Sequence, residues 1–190
     1  MDRRQIKSTN YLMGALANLV KGGKDISDVS ISQLVKKAKV SRSTFYRNFD
    51  NKEDFLSWVS VQLEEGILNA SRVNFGDEVE NPFQNYFNYL NQNRYLYTAF
   101  VNTISWPTLV DRMYLVATNS YERLLKGNKS NIPVKDLATY IVGAHVHVTR
   151  VWLLEDNPRS PEQMAELLTA LTRDGLLAGL GIDSVINLPK

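Results

Sequence analysis

An all-α fold of about nine helices, arranged as a small three-helix head and a larger helical body, is predicted by three features of this 190-residue chain. Apolar residues recur at helical spacing through most of its length, and no strand-like alternation interrupts them. A helix, a tight turn and a second helix with a basic aromatic end can be read between Ile31 and Leu56. Charge is also divided: residues 1–52 carry eleven Lys or Arg against four acids, a balance of +7. The remainder carries eleven against sixteen, a balance of −5.

The first helix is expected from about Arg4 to Val20, where Ile6, Leu12, Leu16, Leu19 and Val20 form a stripe able to cover two further helices, with Gly22-Gly23 ending it. Asp28 or Ser30 starts the second helix. Ser41 can cap the third. The second and third helices hold a fixed angle if Leu34, Val35 and Ala38 meet Val40, Phe45 and Phe49. The fourth starts near Asn51-Lys52-Glu53-Asp54, whose acids suit a helix amino end, and continues through Phe55, Trp58, Val59, Leu63 and Leu68. It links head to body.

Residues 74–81 read as a loop before Pro82 opens the next helix at a favoured first-turn position. The pattern is helical from Phe83 to Leu125, with breaks near Asn91-Gln92-Asn93 and Ser105-Trp106-Pro107, and 126–131 is a polar loop. Two long helices follow, about Val134 to Glu155 and Pro161 to Leu177. Ser160-Pro161-Glu162-Gln163 supplies the second with a cap, a first-turn Pro and a Gln at the third position.

The outward face of the third helix presents Arg42, Ser43, Thr44, Tyr46 and Arg47 within two turns, a set able to meet base edges and phosphates together. The same stripe could belong to a solvated helix pair, but the basic head on an acidic body argues for one end that neutralises phosphates. The chain has no cysteine, which excludes a disulfide framework and cysteine-based metal or nucleophile chemistry. There is no apolar run of membrane-spanning length and no signal-peptide stretch at the amino terminus. The expectation is a soluble protein of the cytoplasm, with no membrane partner.

Ala38-Lys39-Val40-Ser41, Thr44, Phe45-Tyr46, Phe49 and Lys52 together resemble the helix-turn-helix of the tetracycline-repressor (TetR) family of transcription regulators. Lys39 departs from that pattern, because the turn position is usually a Gly that takes a positive φ. The resemblance implies a DNA-binding domain over 1–50 and a helical ligand-binding and dimerisation domain over 51–190. It also implies base-edge contacts from Arg42, Ser43, Thr44 and Arg47, and phosphate contacts from Ser30, Ser32, Tyr46 and Lys52. Arg3, Arg4 and Lys7 would add contacts from an amino-terminal arm.

The body shows no constellation that demands chemistry. His145 and His147 are two apart on a predicted helix, about 200° around its axis, so they cannot chelate one metal from one helix. No phosphate loop or nucleophile elbow is evident. The expectation is a non-enzyme without metal or cofactor. Aromatic residues are concentrated here, among them Tyr86, Tyr97, Trp106, Tyr121 and Tyr140, interleaved with Asn102, Arg112, His147 and Arg150. Singly, each aromatic is accounted for by a helical core; collectively they suit the walls of a small-molecule pocket, which the family resemblance places in this domain. Tyr86, Tyr97, Trp106, Arg112, His147 and Arg150 are the candidate ligand residues.

The last two helices are apolar on more than one side, as helices with two sets of partners are. In the resembled family they pair with their copies, which implies a homodimer. The run Arg150-Val151-Trp152-Leu153-Leu154-Glu155, followed by Ser160-Pro161-Glu162, is similar to regulators grouped with the dihydroxyacetone-kinase regulator. The expected function is a repressor that binds a near-palindromic duplex operator as a dimer and is released by a small-molecule effector. The alternatives are an activator, a regulator without an effector, and a protein-interaction module that has lost operator reading.

Overall fold

The computed structural model describes residues 3–70, 81–101, 106–107, 110–112, 114–115, 118–119 and 132–175. Among these there is no strand. Helix α1 (Arg3–Lys21) buries Leu12, Ala15 and Leu16, one stripe at helical spacing. It stops where Gly23 takes a φ of 85°. A 3-10 turn, Ile26–Asp28, follows, opened by the Asp25 carboxylate accepting from the Ser27 amide. Ser30 rather than Asp28 then caps α2 (Ile31–Ala38), in a reciprocal capping box with Gln33. Ser41 caps α3 (Arg42–Asn48) by accepting from the Thr44 amide.

Lys39 adopts the left-handed conformation itself, with φ 56° and ψ 39°, so the turn keeps its geometry without a glycine. A residue with a Cβ is strained there by about 1–2 kcal/mol, while a glycine would lose about 0.4–1 kcal/mol to the greater freedom of the unfolded chain. Lys39→Gly is therefore expected to stabilise the protein by about 0.5–1 kcal/mol. A rise in the urea midpoint at unchanged slope would register it. A fall would show that the Lys39 backbone is unstrained.

Helix α4 (Lys52–Ala70) is continuous for 19 residues. Its start is closed by the Asn51 side chain accepting from the Asp54 amide and by the Asp54 carboxylate accepting from the Asp50 amide. Helix α5 (Pro82–Gln92) begins with Asn81 as cap and Pro82 in the first turn. The expected break falls at Asn93, after which α6 (Arg94–Val101) starts at once. The described residues between 106 and 119, Trp106 and Pro107 among them, are helical. Helix α7 (Val134–Leu154) and helix α8 (Pro161–Arg173) complete the described residues. Helix α8 closes earlier than Leu177 because Asp174 turns the chain and Gly175 takes a φ of 74°. The expected loops at 74–80 and 126–131, the stretch 120–125, Asn102, Ser105, Tyr121 and Leu177 lie outside the described residues.

One contiguous core runs from Leu12, Leu34 and Phe45 through Phe55 and Leu63 to Phe87, Tyr97, Trp152 and Leu168. Helix α4 is common to its two ends. Near the head, Phe45, Phe49, Phe55 and Trp58 pack as an aromatic cluster, with Phe49 and Phe55 centroids 5.1 Å apart. Such pairs add about 0.5–1.5 kcal/mol each beyond their burial. In the body, α5 packs along α8, and the Asn81 amide donates to Thr169 at 2.8 Å.

Arg94 ties α6 to the carboxyl end of α7. Its Nη2 donates to the carbonyls of Trp152 and Leu153 at 2.6 and 3.0 Å and to Glu155 at 3.3 Å, and its guanidinium lies over the Trp152 ring at 4.6 Å. The last carbonyls of a helix lack intrahelical donors, so this one cation supplies what the helix cannot. Arg94→Ala is expected to destabilise the fold by about 2–4 kcal/mol, and Lys should rescue it only in part, because an ammonium can donate to the carbonyls but cannot lay a planar guanidinium over the indole. Equal denaturant midpoints for the wild type and the Arg94→Lys variant would overturn this.

Candidate nucleic-acid interface

Burial of Phe45 on α3 forces the opposite face of that helix outward. Arg42, Ser43, Tyr46 and Arg47 are exposed there and Thr44 is half-buried. The face is organised by its own contacts. Arg42 Nη2 donates to the Tyr46 hydroxyl at 3.3 Å, its guanidinium lies 5.7 Å from the Tyr46 ring, and Nη1 reaches Ser32 on α2 at 3.5 Å. Tyr46 is in turn set edge-on against Phe45, 5.5 Å between centroids, so its phenol stands upright from a buried ring. Ser41, Ser43 and Thr44 share hydroxyl contacts of 2.8 Å at the amino end of α3. Asn48 anchors the other end, donating to Ser8 on α1 at 3.3 Å.

Ser30 and Ser32 stand exposed at the amino end of α2, Ser30 engaged in its capping box. Lys52, at the start of α4, donates from Nζ to the Ser27 carbonyl at 2.6 Å. The same Ser27 holds the Asp25 carboxyl below the usual carboxylate range through its hydroxyl and amide. An ammonium has three protons, so this bond fixes the position of Lys52 without consuming its donors. Seven of the eight residues expected at the interface thus lie on α3 or at the amino end of α2, the cations Arg42 and Arg47 among them. Lys52 sits at the junction of α4 and the 3-10 turn. The pinning of Lys52 by Ser27 and the tie of Asn48 to Ser8 link residues 25 and 40 positions apart and carry no local signal.

Of the six candidate ligand residues, Tyr86 and Tyr97 lie near enough for their phenols to interact. Tyr86 on α5 is buried with its hydroxyl 3.0 Å from that of Thr149 on α7, and burial pushes its pKa up to about 12. Tyr97 on α6 is buried and donates to the Leu63 carbonyl of α4 at 2.7 Å. Burial, followed by the neighbouring Tyr89, pushes this phenol's pKa well above its ordinary value. Trp106 packs at the edge of the core. Arg112 pairs with Glu64 of α4 at 2.7 Å, a carboxylate that is nearly buried. His147 is exposed and Arg150 half-buried on α7. His145 lies on the other side, 5.2 Å edge-on from Phe83 and 3.4 Å from Thr172, and its burial lowers its pKa. Among the described residues no group of acids and histidines is placed to hold a metal.

Comparison with known proteins decides the family. The sequence model for "Bacterial regulatory proteins, tetR family" matches residues 22–58, and a TetR-type model described as "Transcriptional regulator C-terminal region" matches residues 77–174, more than half of the chain. The chain belongs to the TetR family of transcriptional regulators. This TetR-family chain is 25% identical over 138 residues to the HTH-type dhaKLM operon transcriptional activator DhaS of Lactococcus lactis subsp. lactis (strain IL1403), covering 68% of this chain and 71% of that protein. Its fold is similar to a putative TetR-family transcriptional regulator from Syntrophomonas wolfei, with a TM-score of 0.71, 17% identity, and 94% and 98% of the two chains covered. It is also similar to the solved dihydroxyacetone kinase operon activator DhaS, with a TM-score of 0.67, 19% identity, and 95% and 98% covered. No helix among the described residues of this TetR-family regulator is long and apolar enough to cross a membrane.

Proposed function

We propose that this TetR-family regulator binds a near-palindromic operator as a homodimer, reads it with α3, and is released from it by a small-molecule effector held in the body. The observation that carries the DNA reading is the organised cationic face of α3, where Arg42, Ser43, Tyr46 and Arg47 project together from a ring that is wholly buried. On this reading Arg42, Ser43, Thr44 and Arg47 address bases, and Ser30, Ser32, Tyr46 and Lys52 address phosphates. Residues 1–50 are then the reading domain and 51–190 the responding and dimerising one.

Dimerisation is supported by the exposed face of α7. Tyr140, Ala144, His147, Val151 and Leu154 are all exposed and follow one another by four, three, four and three residues, a seam that suits a second helix. Exposures of 70%, 45% and 40% for Tyr140, Val151 and Leu154 leave a long apolar stripe that a second copy of α7 would cover. A two-fold axis beside this seam would set two α3 helices about one DNA turn apart or somewhat more, roughly 34–36 Å or longer. His147 then belongs to the seam rather than to a pocket.

The sign of regulation has two readings. A dimer whose operator overlaps a promoter would block transcription, the repressing reading; likeness to a protein named as an activator favours activation. A reporter driven from the bound operator, assayed with and without the protein, separates them: expression falls for a repressor and rises for an activator. Repeating the assay with glycerol-derived and other small metabolites identifies a ligand only if the response also appears as a change in operator affinity of the purified protein.

A further inference from the structure

Gly66 stands in the middle of α4, where a glycine weakens a helix, and unlike Gly14 and Gly143 it is not in open space. A Cβ there would fall inside the phenol of Tyr89, whose hydroxyl and ring edge occupy the place of the missing side chain. One turn earlier Tyr97 donates to the Leu63 carbonyl at 2.7 Å from a fully buried ring. A helix carbonyl retains a second lone pair for such a donor. The two tyrosine rings stand edge to face with centroids 6.2 Å apart. Between these contacts, Glu64 is held by Arg112.

We propose that Tyr89 and Tyr97 form a latch seated at Gly66 that sets the resting angle of α4, and so the position of the DNA-binding head relative to the body. The proposal deepens the operator-binding reading and rests on it for its biological consequence. The amino-terminal part of α4 travels with the head, because Phe55 and Trp58 pack on Phe49. Tyr97 belongs to α6, and α6 is referenced to α7: Arg94 and Thr98 bond the carbonyls at its carboxyl end. Tyr95 of the same short helix receives the Lys21 ammonium of α1 at 5.3 Å. An eight-residue helix therefore touches the lever, the head and the dimerisation helix at once.

The lever is long enough to matter. From Gly66 to Lys52 is about 21 Å of helix, so a pivot of about 5° at the latch moves the entry to the head by about 2 Å. In a symmetric dimer the two displacements oppose, up to about 4 Å between heads that must match successive major grooves. The latch also has two discrete parts, a hydrogen bond and a filled notch, each removable with little change of volume elsewhere.

The test uses the absence of cysteine in this chain. Spin labels on Lys37→Cys of α2 and Glu166→Cys of α8, both exposed, report the head-to-body distance when labelled chains are diluted with unlabelled ones. Tyr97→Phe, Gly66→Ala, Tyr89→Leu and the Gly66→Ala/Tyr89→Leu pair are compared by this distance and by affinity for the operator and for unrelated duplex. Expected for Tyr97→Phe and Gly66→Ala are a shift or broadening of about 2 Å or more and a loss of operator affinity of about fivefold or more, with affinity for unrelated duplex unchanged. The paired variant should match Tyr89→Leu alone, since Leu lacks the atoms that the new Cβ meets.

Unchanged distances in folded Tyr97→Phe and Gly66→Ala proteins would overturn the latch. If Gly66→Ala does not fold, Tyr97→Phe, which keeps its ring, decides alone. Changed distances in a protein that selects no operator would support the latch while removing the operator-binding reading.

Discussion

Val151→Glu is expected to leave the chain folded and monomeric and to lower operator affinity by about 10³-fold or more. Val151 is exposed in the single chain, so a carboxylate there stays solvated and costs little in the monomer. In the dimer proposed above, the same carboxylate would face its own copy across a two-fold seam, two like charges desolvated together. A dimer gains operator affinity because the second half-site is bound at high effective concentration; a monomer retains one half-site and the non-specific phosphate term. Sedimentation at concentrations that keep the wild type dimeric, together with operator titration, checks both parts. A dimeric Val151→Glu protein with wild-type affinity would remove α7 from the interface.

Arg47→Ala is expected to cost about 1–3 kcal/mol on the preferred operator, roughly 5–150-fold, and to relax selection at the base it meets. Unrelated duplexes should lose much less. Lys52→Ala is expected to behave differently, weakening all sequences alike and reducing the slope of log affinity against log salt by about 0.9 for the lost phosphate contact. The contrast follows from position: Arg47 is on the outward face of α3, whereas Lys52 is pinned at the edge of the head by the Ser27 carbonyl. Because that bond also steadies the junction of α4 with the 3-10 turn, thermal stability must be measured beside affinity. An unchanged salt slope in a folded Lys52→Ala protein would contradict the docking.

The head was legible because its information is local. Caps, a basic face and apolar residues three and four apart are read from neighbours in the chain, and Ser30, Ser41, Phe45 and Phe49 take the places that such a reading assigns. Lys39 was legible as a departure from the glycine pattern, but not whether the turn or the residue would yield; the residue did, at φ 56°. The opposed faces of His145 and His147 follow from helical geometry alone, and one is half-buried while the other is exposed.

The body was less legible because its polar contacts join residues far apart in sequence. Tyr86 meets Thr149 across 63 positions and Arg112 meets Glu64 across 48, and neither partner has a local signature. A count of aromatics could suggest pocket walls, yet Tyr86 and Tyr97 satisfy their hydroxyls within the protein, as buried phenols generally must. Glu64 sits beside an apolar stripe of Phe55, Val59, Leu63 and Ile67, and its adjacent Glu65 makes the pair read as a solvated face. The helix expected as far as Leu177 passes over Gly175, which takes a positive φ just beyond the observed end of α8 at Arg173.

The most direct test of the central claim is selection of bound duplexes from a random-sequence pool by the purified protein at two salt concentrations, followed by sequencing of the retained fraction. Recovery of a near-palindrome, bound about 10³-fold or more tightly at 50 mM than at 200 mM salt if six or more phosphates are met, is the result predicted for a dimeric operator reader. Weak binding at both salts with no enriched sequence would contradict it and would turn the cationic face of α3 and the exposed seam of α7 toward a protein partner instead.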